Sequence, residues 1–157
     1  MDIKELKFIR YTVPTLADAI PRWLIDQAKD KNWTTDKFFQ LAPFLIANPL
    51  NIIGLFVDKE NVAKGFLWVA INILTEQMEV VLISFDKEYQ DTKGTVFEHI
   101  NDFVIKLSEE PKIKKMLIAA NINLKETILF STTHPKVYER KGWKRSRIVV
   151  MENIKEQ

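Results

Sequence analysis

Met78–Leu107 reads MEVVLISFDKEYQDTKGTVFEHINDFVIKL, and the change of period inside it decides the fold. Met78–Phe85 is β-branched and aromatic, the composition of a strand. From Thr95 onward, Val96, Ile100, Phe103, Val104 and Leu107 fall at spacings of three and four, one face of an amphipathic helix. Thr127–Ser131 (TILFS) supplies a following strand. A right-handed crossover through the helix makes the two strands parallel.

Upstream, Asn51–Val57 (NIIGLFV) and Gly65–Ile73 (GFLWVAINI) are further strand runs, joined to each other and to Met78–Phe85 by the polar turns DKENVAK and LTEQ. Three strands linked in this way predict an antiparallel meander. Lys7–Thr12 alternates as a first strand. Thr15 then offers an N-cap, and Ala17, Ile20, Leu24, Ile25 and Ala28 recur at helical spacing, with Pro21 expected to break or kink that helix. A second helix is predicted from the cap Thr35, carrying Phe38, Phe39, Leu41 and Ala42. It ends at Pro43 or, if kinked there, at Asn48-Pro49.

Downstream, Ser108–Pro111 ends the long helix. Ile113, Met116, Leu117 and Ala120 fit a further helix, although MLIAA also reads as a strand; the helix is the preferred reading. Pro135–Lys141 is predicted as a short helix ended by Gly142, and Arg147–Met151 as the last strand. The order predicts an α/β (α+β) fold: a mixed, mostly antiparallel central sheet flanked by helices, in one domain over residues 1–157.

Composition limits the chemistry. The chain has 157 residues, 46% hydrophobic and 28% charged, the usage of an ordinary globular protein. With Lys plus Arg at 23 and Asp plus Glu at 21, the net charge of +2 gives no general polyanion-binding signal. The absence of cysteine excludes disulfides, thiolate metal sites and a cysteine nucleophile. His99 and His134 stand apart without ligand spacing, so no metal site is expected, and no Ser/His/Asp order or P-loop can be assembled. The charged start MDIKELKFIRY does not read as a signal peptide, and the apolar runs are short for a membrane span, so a cytoplasmic, membrane-free setting is expected. Trp23, Trp33, Trp68 and Trp143 are read as core or half-buried packing.

Two segments carry candidate chemistry. The turn FDKEYQDTKGT leads into a helix N-terminus, where unpaired amides and the helix dipole favour an anion; Thr92 and Thr95 can cap and Gly94 permits close approach. The segment THPKVYERKGWKRSR sets Tyr138 beside the cations of Arg140–Arg147. Tyr138 reads either as a packing residue or as a phenol that gives up a proton beside a phosphate clamp. The cationic turn reads as a solvated surface, with nucleic-acid binding a minor alternative.

Here the chain resembles the GNAT superfamily of acyl-CoA-dependent N-acyltransferases. Phe85-Asp86-Lys87-Glu88-Tyr89-Gln90 looks like the family's V-x-P-x-Y-R/Q pattern, and His134–Trp143 (HPKVYERKGW) resembles its later N-P-x-x-x-Y-E-K-x-G-F segment; Gly65-Phe66 also fits. The resemblance implies that an amine attacks the thioester of acetyl-CoA as acyl donor. It assigns donor binding to backbone near Ser84, Phe85 and Asp86 and to Gln90, Thr92, Lys93, Gly94 and Thr95. Tyr138 matches the tyrosine that protonates the leaving thiolate. Glu79 stands where some members carry a glutamate base, and His134 is the other titratable candidate; an exposed strand-end glutamate is the competing reading of Glu79. On an unbroken strand Glu79 shares a face with Val81 and Ile83, opposite Val80 and Leu82.

The pyrophosphate loop departs from the family's Q/R-x-x-G-x-G/A. Counted from Gln90, its glycine positions hold Lys93 and Thr95, with Gly94 between them; a one-residue shift restores Lys93-Gly94 but puts β-branched Val96 in the last small-residue place. That departure supports an alternative, a non-catalytic interaction or structural module of the same fold. The acceptor expected of the enzyme is a small-molecule or peptide amine. Oligomeric state stays open: a final strand can pair across a homodimer, and a module belongs in a larger assembly.

Overall fold

The computed structural model describes residues 3–28, 33–89, 95–124, 126–129, 139 and 144. Strands β1 (Lys7–Tyr11), β2 (Asn51–Val57), β3 (Ala63–Asn72), β4 (Gln77–Phe85) and β5 (Glu126–Leu129) form one sheet in the order β1-β2-β3-β4-β5. The first four pair antiparallel, the expected meander with β1 added at its edge. β4 and β5 pair parallel, because helices α3 (Thr95–Leu107) and α4 (Pro111–Ala119) carry the chain back over one face before β5 begins. The segment with two readings, MLIAA, is therefore helical: Pro111 opens α4, Glu110 caps Lys112 N–H, and Ile113 and Leu117 are buried one turn apart.

Both faces of the sheet are covered. Ile52, Phe56, Leu67, Val69, Met78 and Val80 pack under Ile100, Val104 and Leu107 of α3 and Ile113 and Leu117 of α4. On the other face Ile53, Leu55, Val57, Phe66 and Leu82 meet the helices that lie between β1 and β2. Each fully buried aliphatic or phenylalanine side chain contributes about 1.5–3 kcal/mol. Gly54 is required by a close approach: a Cβ there would stand 2.3 Å from the Ile9 carbonyl oxygen, and the Phe8 ring lies over the vacant side.

The segment after β1 is not one helix. A 3-10 turn spans Pro14–Ala19, with Val13 rather than Thr15 flanking its start, and α1 (Arg22–Asp26) begins afresh after Pro21. Pro21 has no N–H to donate and its φ of -64° suits a helix entrance, so it ends one element and starts the next. The apolar residues expected of a single helix still converge: Ala17, Ile20, Leu24, Ile25 and Ala28 all enter the second core cluster. Trp23, expected in packing, is exposed, because the short α1 turns Leu24 and Ile25 inward.

Helix α2 (Thr35–Ala47) is capped by Thr34, one residue before the expected cap, and Thr34 Oγ1 accepts from Lys37 N–H at 3.2 Å. Pro43 does not end it; the helix runs to the alternative stop at Asn48. Phe38, Ala42 and Ile46 are buried along one stripe, and burying that stripe outweighs the roughly 3 kcal/mol that an interior proline costs. The predicted helix at Pro135–Lys141 and strand at Arg147–Met151 lie outside the described residues, apart from Glu139, which is helical.

Candidate active site

The site is built on the C-terminal half of β4. Its pairing with β3 slips between Trp68 and Val69: Trp68 faces Leu82 and Val69 faces Val80, so Val81 is an extra residue. A bulge of this kind exchanges both the side-chain faces and the hydrogen-bonding edges of everything after it. Met78 and Val80 lie in the α3/α4 core, whereas Leu82 lies in the α1/α2 core. Glu79 therefore shares a face with Leu82, not with Ile83, which corrects the face assigned to it from unbroken alternation.

The edges follow by the same count. Asp86 N–H donates to the Lys64 carbonyl at 2.8 Å, toward β3. Alternation then turns the backbone groups of Ser84 toward β3 and those of Ile83 and Phe85 toward the opposite edge. Among the described residues the β4–β5 ladder joins Gln77–Val80 to Glu126–Leu129, and β4 itself runs to Phe85. The peptide groups of Ile83 and Phe85 thus lie on the β5-side edge of β4, beyond the described part of the ladder.

The strand end is held from the α1/α2 face. Gln27, the C-cap of α1, donates through Nε2 to Ser84 Oγ at 2.8 Å and to the Phe85 carbonyl at 2.5 Å. Ser84 is buried and Gln27 half-buried. Phe85 packs its ring against Phe56, with centroids 5.1 Å apart, in space that Gly65 leaves open; a Cβ at Gly65 would lie 2.4 Å from that ring. Nothing in the sequence pointed to Gln27, since it meets β4 from 57 residues away.

Beyond Phe85 the chain makes a 3-10 turn, Lys87–Tyr89, and Tyr89 is buried in the α3/α4 core. Burial is the main cause that pushes its phenol above the usual tyrosine range. Lys64, the bulged residue of β3, anchors the turn: its ammonium is 2.5 Å from Glu88 Oε1 and 3.7 Å from Asp86 Oδ2. The hydrogen bond to Glu88 is the main reason that its pKa is raised. Asp86 thus spends its amide and its carboxylate on Lys64.

Glu79 is half-buried near the start of β4 and accepts from Asn72 Nδ2 at 3.2 Å. Ile83 lies four positions further along the strand, about 13 Å on an extended chain. Thr95 is the first residue of α3. Gln90, Thr92, Lys93, Gly94, His134 and Tyr138 lie outside the described residues. Among the described residues no three His, Cys, Asp or Glu side chains gather in a group that could hold a metal, and no helix is long and apolar enough to cross a membrane.

The sequence matches no protein-family profile and no curated relative. Solved structures do match in fold. A possible acetyltransferase from Clostridium difficile 630 is 9% identical at a TM-score of 0.65, with 97% of this chain and 99% of that one covered. The dodecameric spermidine N-acetyltransferase of Vibrio cholerae is 16% identical at 0.59, with 96% and 85% covered. An aminoglycoside N-acetyltransferase in complex with CoA is 11% identical at 0.63, with 95% and 94% covered. The chain has the GNAT acetyltransferase fold.

Proposed function

We propose that this chain is an N-acetyltransferase that moves an acetyl group from acetyl-CoA to an amine of a small molecule or peptide. The observation that carries the reading is the bulge at Val81, after which the Ile83 and Phe85 peptides turn to the edge of β4 away from β3. An extended thioester arm lying along that edge meets the Ile83 N–H, the donor for the oxyanion. The residues present fit the reactive end of such a donor; the loop for its pyrophosphate, Gln90–Gly94, is assigned by resemblance, with the start of α3 behind it.

The amine lone pair forms the C–N bond, and the C–S bond breaks with its electron pair going to sulfur. The proton shed by nitrogen passes to Glu79 through water, with His134 as the other candidate acceptor. Tyr138 protonates the thiolate. Acceptors of the class seen by name among proteins of this fold, polyamines and aminoglycosides, are the first to try. A second reading, an interaction module without catalysis, is favoured by Phe44, which is 74% exposed on α2 beside the exposed Leu41.

Calorimetry with acetyl-CoA and CoA, followed by thiol release with spermidine and kanamycin, tests the reading. Binding of acetyl-CoA with thiol release supports it. A folded protein that takes up no heat with either ligand at millimolar concentration rejects the enzyme and leaves the module.

A further inference from the structure

The geometry points to Gln27 as a positioning residue that aims the end of β4 at the thioester carbonyl. Both hydrogens of its amide are spent on consecutive residues of one strand, on Ser84 Oγ at 2.8 Å and on the Phe85 carbonyl at 2.5 Å. They take hold beyond Val80, the last residue of β4 in the described β4–β5 ladder. The bond to Phe85 fixes the plane of the peptide that follows it, and the bond to Ser84 fixes the residue before it. Between them they set the direction of the segment that carries the Ile83 N–H.

Holding α1 in place does not require these bonds. Leu24 and Ile25, on the same short helix, are fully buried in the α1/α2 core. Gln27 sits at the helix C-cap, so its side chain leaves from the end of α1 and bridges the helices on that face to β4. A shift of α1 is passed to the strand end that meets the donor.

This inference rests on the acetyl-transfer reading, and the test separates the two. Isotope-edited infrared spectroscopy of [1-13C]acetyl-CoA bound to the full chain reads the hydrogen bond to the thioester carbonyl, without any acceptor. In the native protein the carbonyl band is expected below its position in free acetyl-CoA. Gln27→Met keeps the volume and removes the donors; Gln27→Glu keeps the shape, and its carboxylate at neutral pH accepts but does not donate. Both variants are expected to return at least half of the band shift while CoA affinity holds within about twofold and the thermal midpoint is retained.

An unchanged band in either folded variant overturns the role of Gln27 and leaves acetyl transfer standing. So does loss of folding in both variants, which makes the residue structural. A native protein that binds acetyl-CoA with no band shift overturns it too. If the native protein binds no acetyl-CoA, the acetyl-transfer reading falls and the role of Gln27 falls with it.

Discussion

Replacing Gly65 by alanine puts a methyl carbon 2.4–2.5 Å from two atoms of the Phe85 ring, far inside contact distance. The ring cannot swing clear cheaply, because Phe85 is buried and packed against Phe56. Overpacking of this kind costs about 1–3 kcal/mol. Alanine returns about 0.4–1 kcal/mol by restricting the unfolded chain, so the net loss expected is about 1–2 kcal/mol. For a domain of this size that lowers the thermal midpoint by roughly 2–8 °C. Urea unfolding followed by tryptophan fluorescence measures it directly, with Trp68 on the same strand as Gly65. The double variant Gly65→Ala/Phe85→Leu is the sharper test. Leucine vacates the space that the methyl needs, so the double variant should lose less than the two single changes summed, by about 1 kcal/mol. Stability of Gly65→Ala within about 0.5 kcal/mol of the native value, or strict additivity in the cycle, would refute the packing argument.

Pro43→Ala should raise stability by about 1–2 kcal/mol, since it restores an N–H to the interior of α2; a denaturation midpoint that does not rise contradicts this. Tyr89 has a folded pKa above its unfolded one, so its contribution to stability is complete below about pH 10 and is lost as pH climbs toward the folded value. Tyr89→Phe should flatten that alkaline decline in midpoint; Tyr11, raised by burial as well, will account for part of what remains. With a working acceptor in hand, Glu79→Gln should lower kcat/KM at least tenfold with little change in CoA affinity, and an unchanged rate excludes Glu79 as the base.

The strands were legible because β2, β3 and β4 are β-branched and aromatic runs bounded by short polar turns, a signal local to each run. Helix α3 was legible for a similar reason, its buried stripe being written at spacings of three and four. Local signals also misled. Thr15 has the chemistry of a cap, yet Pro14 and Pro21 decide where the backbone can be helical, and Pro43 is overruled by three buried neighbours on its own helix. The bulge was invisible, because Val80–Ile83 (VVLI) carries no glycine or polar residue to mark the extra one. Its position comes from pairing with β3, and so does the face on which Glu79 lies. Gln27 was missed because a glutamine at the end of a short helix looks like any solvated side chain until the fold brings β4 beside it.

Val81 is a spacer, and the residues beyond it keep their places without it. Deleting it would join Val80 directly to Leu82, which alternation sets on opposite faces, as they already are, so the ladder with β3 becomes even while Leu82, Ile83 and Phe85 keep their faces and partners. Such a chain loses only the local kink and added twist that the bulge gives β4. The same loss of one codon at Ile83 would exchange the faces of Ser84 and Phe85 and take the Phe85 ring off Phe56, so in this strand the harm of a deletion depends on which side of the bulge it falls.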